Sequence, residues 1–125
     1  MIKGTYNSEF RQAVVDLTVR GPAGEEVQLE FVVDTGFNAD LTLHSSVAAA
    51  LGMHVEGMER AMLADGSVIL FPMGRAQLHW NGTLRHVSVR IADIVSHVGM
   101  QVLEGHELRI QAVPDGAVQI SPCST

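Results

Sequence analysis

The chain has 125 residues, which is room for one domain and none for a second at roughly 150 residues per domain. Fourteen acidic against eight basic side chains give a net charge of −6, and no basic stripe interrupts that balance. This excludes a nucleic-acid partner and disfavours an anionic membrane surface. Apolar residues at 46% and charged residues at 18% exclude a disordered chain.

The longest apolar runs fall far short of the roughly 18 residues a membrane-spanning helix needs. Residues 1–12 hold no continuous apolar stretch, so a secretory leader is not expected. The single cysteine, Cys123, cannot form an internal disulfide, which fits a reducing, cytoplasmic setting; it reads as a tail thiol without a role.

In chain order, the pattern is one of short alternating runs broken by turn residues. Ala13, Val15, Leu17 and Val19 alternate with polar positions, Gly21-Pro22-Ala23-Gly24 breaks the run, and Val27, Leu29, Phe31 and Val33 alternate again. This predicts a β-hairpin. Ser45 through Gly52 predicts a short helix, with Ser45 as N-cap, an alanine run and a closing glycine. Arg60–Ala64 and Ser67–Phe71 flank Asp65-Gly66, which predicts a two-residue turn of type I′. Ala76, Leu78 and Trp80 lead into Asn81-Gly82, a stronger signal of the same kind, with Val87, Val89 and Ile91 beyond it. Residues 99–105 predict a turn or short helix. Leu108 and Ile110 precede Pro114-Asp115-Gly116, and Val118 and Ile120 close the chain. Many short strands and one clear helix in a chain of this size predict an all-β fold, a barrel or a sandwich.

The chemistry concentrates in Phe31-Val32-Val33-Asp34-Thr35-Gly36-Phe37. An apolar strand runs into a carboxylate, which is costly to bury unless paired or neutralised. Thr35 offers a donor, and Gly36 lets the backbone turn and present its amide. Asp34 is thereby held at a strand end with donors nearby. The plainest alternative is an aspartate that caps a turn.

These residues resemble the retropepsin-like aspartic proteases, particularly their small single-domain prokaryotic members. The resemblance spans about Val14 to Ile120, within a single domain of residues 1–125 whose core covers about 13–121. The family's Asp-Thr-Gly motif matches Asp34-Thr35-Gly36, and its flap hairpin matches Leu63-Ala64-Asp65-Gly66-Ser67-Val68. Its later pair of apolar residues plus glycine resembles His97-Val98-Gly99-Met100, and its closing strand resembles Leu108-Arg109-Ile110. Three positions depart from the family pattern: Phe37 stands where Ala or Ser is usual, His97 replaces an apolar residue, and Gln101 replaces an Asp or Asn.

The resemblance implies an all-β, single-domain, partly closed β-barrel with one or two short helices, and an aspartic endopeptidase with Asp34, Thr35 and Gly36 as catalytic residues and Leu63, Asp65, Gly66 and Val68 as substrate-binding flap residues. Peptide hydrolysis of this kind needs a general acid and a general base side by side, supplied by two carboxylates that share one proton. Asp-Thr-Gly occurs once here, so the second carboxylate must come from a second chain. The expected assembly is a twofold homodimer in which Thr35 bonds across the axis. Its partner is a peptide or protein substrate, with no cofactor and no metal.

The six histidines form no His-Glu-x-x-His, and there is no Cys-x-x-Cys, Gly-x-Ser-x-Gly or phosphate-binding glycine loop. His79 and His86 flank Asn81-Gly82 and are expected to face each other across the hairpin. Two alternatives remain open: a catalytically weak or inactive dimeric β module that binds extended peptides by strand addition, and a half-site that works only inside a larger assembly.

Overall fold

The structure is a computed structural model and describes residues 1–124. Ten strands and two short helices follow one another as β1 (Ile2–Asn7), β2 (Gln12–Arg20), β3 (Glu26–Val33), β4 (Leu41–Leu43), α1 (Ser45–Ala50), β5 (Gly57–Met62), β6 (Val68–Trp80), β7 (Thr83–Ile91), β8 (His97–Val98), α2 (Met100–Leu103), β9 (His106–Ile110) and β10 (Ala117–Pro122). All strands join one sheet in the order β5-β6-β7-β4-β8-β3-β2-β1-β10-β9. A further β2–β6 pairing, Val19 to Leu78 and Arg20 to Gln77, closes β6, β7, β4, β8, β3 and β2 into a ring. The fold is all-β.

Alternation along the strands sends one set of side chains inside the ring. Val15, Leu17 and Val19 from β2 meet Phe31, Leu41, Leu43, Leu78, Val89 and Val98, all of them buried. Leu51 and Val102, from the ends of the two helical segments, plug the same core. The β2–β3 hairpin has the expected register, with Val19 opposite Val27 and Leu17 opposite Leu29. The Asn81-Gly82 turn has both residues at positive φ, 50° and 82°, between paired Trp80 and Thr83. That is the two-residue type I′ geometry the sequence predicts.

Three expectations are corrected. Asp65-Gly66 does not form a type I′ turn. Only Gly66 has positive φ, Gly66 N–H donates to Leu63 O at 2.9 Å, and Leu63 N–H donates to Ser67 O at 2.8 Å. The loop is therefore Ala64-Asp65-Gly66, a three-residue connection with a glycine bulge. Its cause is the Asp65 carboxylate, which accepts from Ser67 N–H at 2.9 Å and from Ser67 Oγ–H at 2.6 Å and fixes the local turn.

The N-cap of α1 is His44 rather than Ser45: His44 Nδ1 accepts from Ser46 N–H at 3.1 Å, while the Ser45 hydroxyl donates to Asp93. His79 and His86 do not face each other either. His79 lies opposite Leu84 and pairs with Glu26, and His86 lies opposite Gln77. β1 has no counterpart among the strands that the sequence predicts. Ile2–Asn7 pairs with both β2 and β10, and Gly4 allows it, because a Cβ there would stand 2.0 Å from Val14 O.

Candidate functional site

Asp34 is the first residue past β3. Its position is set by backbone bonds on both sides: Val32 N–H donates to Ser96 O at 2.9 Å, and Asp34 N–H donates to Val98 O at 2.9 Å. β3 runs parallel to β8 here, with Val33 beside Val98, and β8 in turn pairs antiparallel with β4. The strand bearing the carboxylate is thus wedged into the sheet beside a two-residue strand. The chain then turns tightly, with Phe37 N–H donating to Asp34 O at 3.2 Å. Gly36 N–H donates to Asp34 Oδ1 at 2.9 Å, the bond that the glycine was expected to make possible. Asp34 is half-buried, while Thr35 and Gly36 are exposed. The carboxylate is held from behind and open in front.

The loop that follows is locked to the second motif. Gly99 N–H donates to Asp40 O at 2.8 Å, Met100 N–H to Phe37 O at 2.8 Å and Gln101 N–H to Ala39 O at 3.3 Å. Gly99 is required by space, not by dihedral angle: its φ is −104°, but a Cβ would meet Ala39 O at 2.2 Å and Phe37 Cδ2 at 2.7 Å. The buried Asp40 carboxylate reaches β7, accepting from Ser88 N–H at 2.9 Å and Ser88 Oγ–H at 3.2 Å.

A cavity of about 200 Å³ opens beside Asp34 and is lined by Gly36, Phe37, Thr42, Arg90, Ile94 and His97. Register explains the set. Thr42 on β4 lies opposite Arg90 on β7 and His97 on β8, so the three side chains form one row across adjacent strands. His97 is oriented by its Nδ1 contact with Val95 O at 2.6 Å. Phe37 is buried, with its ring over Gly99 and under the Arg90 guanidinium, whose carbon lies 5.1 Å from the ring centre. Phe71 of β6 packs on the same guanidinium at 4.9 Å, and Glu59 of β5 forms an ion pair with it.

The structure brings Asp34 and Gly36 to this cavity. Thr35 is exposed and does not line it, and Leu63, Asp65, Gly66 and Val68 lie on the exposed tip of the β5–β6 hairpin. The Asp65 carboxyl is held below its ordinary value by the Ser67 hydroxyl and then the Ser67 amide, so its bonds serve the turn.

Asp40, Glu59, Phe71, Ser88 and Arg90 are not among the site residues that the sequence predicts. Arg90 sits on the polar phase of the alternation Val87, Val89, Ile91 and reads as solvent-facing. The one available signal was Asp40, a second carboxylate directly before the apolar run Leu41–Leu43. No group of three or more His, Cys, Asp or Glu side chains suited to a metal occurs among the described residues. No helix among them is long and apolar enough to cross a membrane.

No family model matches the chain, and no curated protein matches it. Among solved structures, it is similar to a retropepsin-like aspartic protease from Rickettsia conorii, with 18% identity, 95% of this chain and 89% of that chain covered, and a TM-score of 0.67. It is also similar to the EIAV protease complexed with the inhibitor HBY-793, with 14% identity, 74% and 86% covered, and a TM-score of 0.56. At such identities the likeness is one of fold, and the fold of this chain is retropepsin-like.

Proposed function

We propose that the chain is one half of an aspartic endopeptidase, with its active site completed by a second copy. The observation that carries this reading is Asp34 itself: a carboxylate fixed from behind by the Gly36 amide, open in front, at the strand end of a retropepsin-like fold. In the twofold dimer the two Asp34 carboxyls share a proton. One takes a proton from a water, and that water attacks the peptide carbonyl. The other, protonated, donates to the carbonyl oxygen. No covalent intermediate forms. Thr35, exposed beside Asp34, bonds across the axis and keeps the two loops in register. The tip of the β5–β6 hairpin, with Leu63, Asp65, Gly66 and Val68, covers the substrate. A single exposed cysteine fits a reducing, cytoplasmic setting.

The test is cleavage of a mixed peptide library from acidic to neutral pH, with and without an aspartic-protease inhibitor. The expected rate profile is bell-shaped and centred below neutrality, because the titration belongs to the pair. Asp34→Asn should lower the rate about a thousandfold or more while fold and dimer survive. Cleavage by that variant at the parent rate would remove Asp34 from the mechanism.

A second reading rests on β5, which is a terminal strand of the sheet and carries the exposed Met58 and Met62, with Val68, Ile69 and Leu70 exposed on the neighbouring β6. Such an edge can take an extended peptide by strand addition without chemistry. Library peptides that bind but are cut at no pH would favour this reading.

A further inference from the structure

We propose that Arg90 is a positioning residue that clamps the β5–β6 hairpin onto the Asp34–Phe37 loop, an inference that rests on reading this hairpin as the cover of the Asp34 site. Glu59 and Phe71 lie directly opposite each other on the two strands of the hairpin, and both hold the Arg90 guanidinium, Glu59 by charge and Phe71 by its ring face. Phe37 holds the same group from the loop, one residue past Gly36. Arg90 itself belongs to β7, whose register with β4 places it in the wall of the Asp34 cavity. One guanidinium therefore joins both strands of the cover, β5 and β6, and the Asp34–Phe37 loop to β7.

The chemistry of the contact favours a clamp over a chance surface pair. The Arg90 side chain is 21% exposed and that of Glu59 is 35% exposed, so the pair is only partly open to the solvent that weakens surface ion pairs. Arg90 Nε is buried with no hydrogen-bond partner among the described residues. A buried donor left unpaired is unfavourable, so other contacts must hold the group in place. The two aromatic faces and one carboxylate do so, and a planar guanidinium suits them where an ammonium does not. The arrangement also accounts for Phe37 at a position where the family carries a small residue. The ring is the surface on which the clamp closes.

Hydrogen–deuterium exchange of the full chain tests this without relying on activity. In Glu59→Gln and in Arg90→Lys, amides of residues 57–62 and 68–71 should exchange about tenfold faster than in the parent. Amides of β1 and β2 should keep the parent rate, which also shows that the variants are folded. The double variant should exceed Arg90→Lys by no more than about twofold, because the Glu59 contact is already among those that Arg90→Lys perturbs.

Where the parent cleaves peptide, both variants should raise KM about tenfold and change kcat less than about threefold, since a loosened cover weakens substrate binding and leaves Asp34 in place. Parent rates at residues 57–71 in both single variants would overturn the clamp. So would an equal rise across the whole chain, which would make Arg90 a general stabiliser. A parent that cuts nothing, with the local exchange signature present, supports the clamp and counts against proteolysis.

Discussion

Gly99→Ala is the sharpest perturbation of the loop that presents Asp34. The added methyl would lie 2.2 Å from Ala39 O and 2.7 Å from both Phe37 O and Phe37 Cδ2. Two of these three neighbours are backbone, so no rotamer change relieves the clash and the loop must move. Overpacking of this kind costs about 1–3 kcal/mol. Moving the loop also breaks the Gly99–Asp40 and Met100–Phe37 backbone bonds, at about 1 kcal/mol each. The loss should be about 3–5 kcal/mol, a large share of the 5–15 kcal/mol typical of a domain. For a chain of this length, about 4 °C of melting temperature accompanies each kcal/mol, so Tm should fall by about 12–20 °C.

Two glycines serve as controls in the same calorimetric or circular-dichroism melt. Gly105 has φ of +84° and nothing within 4 Å, so Gly105→Ala should cost only the strained conformation, about 1 kcal/mol or 4 °C. Gly57 has open space and no such φ, so Gly57→Ala should leave Tm within about 2 °C. A Gly99→Ala protein melting within about 4 °C of the parent would refute the reasoning, because the close approach of the Phe37–Asp40 loop to Gly99 would then not exist.

Other perturbations separate the loop's supports from the rest of the fold. Asp40→Ala strands the Ser88 amide and hydroxyl on β7 and should cost about 2–3 kcal/mol by urea denaturation, whereas Asp40→Asn keeps an acceptor and should cost about 1 kcal/mol. Ser67→Ala removes the hydroxyl that most lowers the Asp65 carboxyl. A carboxyl held below its unfolded value of 3.8 contributes stability above that pH and loses it as pH falls through the lower folded value. The parent should therefore be more stable than Ser67→Ala near neutrality, and the gap should close below pH 3.8 in parallel denaturant titrations. His106→Ala leaves the Trp80 indole N–H, now 3.1 Å from His106 Nε2, without an acceptor. With Trp80 almost fully buried, the cost should be about 1–3 kcal/mol, read as a lower unfolding midpoint in the fluorescence of this single tryptophan.

What could be read from the sequence was what depends on neighbours along the chain. Alternation placed β2, β3, β7 and β10, and Asn81-Gly82 named its turn, because side-chain phase and positive φ are local properties. Asp65-Gly66 misled because an aspartate can fix a turn through its own side chain, and the Ser67 donors two residues on decide which geometry results. β1 went unread because Ile2–Asn7 carries almost no apolar pattern and is held by pairing to strands ten and more than a hundred residues away. The same limit applies to the site. Asp34-Thr35-Gly36 is contiguous and legible. Arg90, Glu59 and Phe71 meet only because β5, β6 and β7 are stacked in register, and each looks like an ordinary residue of its own strand.

Phe37 shows why these distant residues bear on the carboxylate. A small side chain after the glycine would satisfy the turn, since the bonds that fix Asp34 all run through backbone atoms or Gly36. The larger ring reaches Gly99 with its Cδ2 and carries the Arg90 guanidinium over its face. Gly99 must be small because the Ala39 and Phe37 carbonyl oxygens close on it together with the Phe37 ring edge, and the same ring carries the Arg90 guanidinium. The three positions form one packing unit across the loop, α2 and β7. A substitution at any one of them changes the support of Asp34 without touching its carboxylate, so activity lost at Phe37 or Gly99 has to be separated from lost chemistry by measuring stability in the same variant.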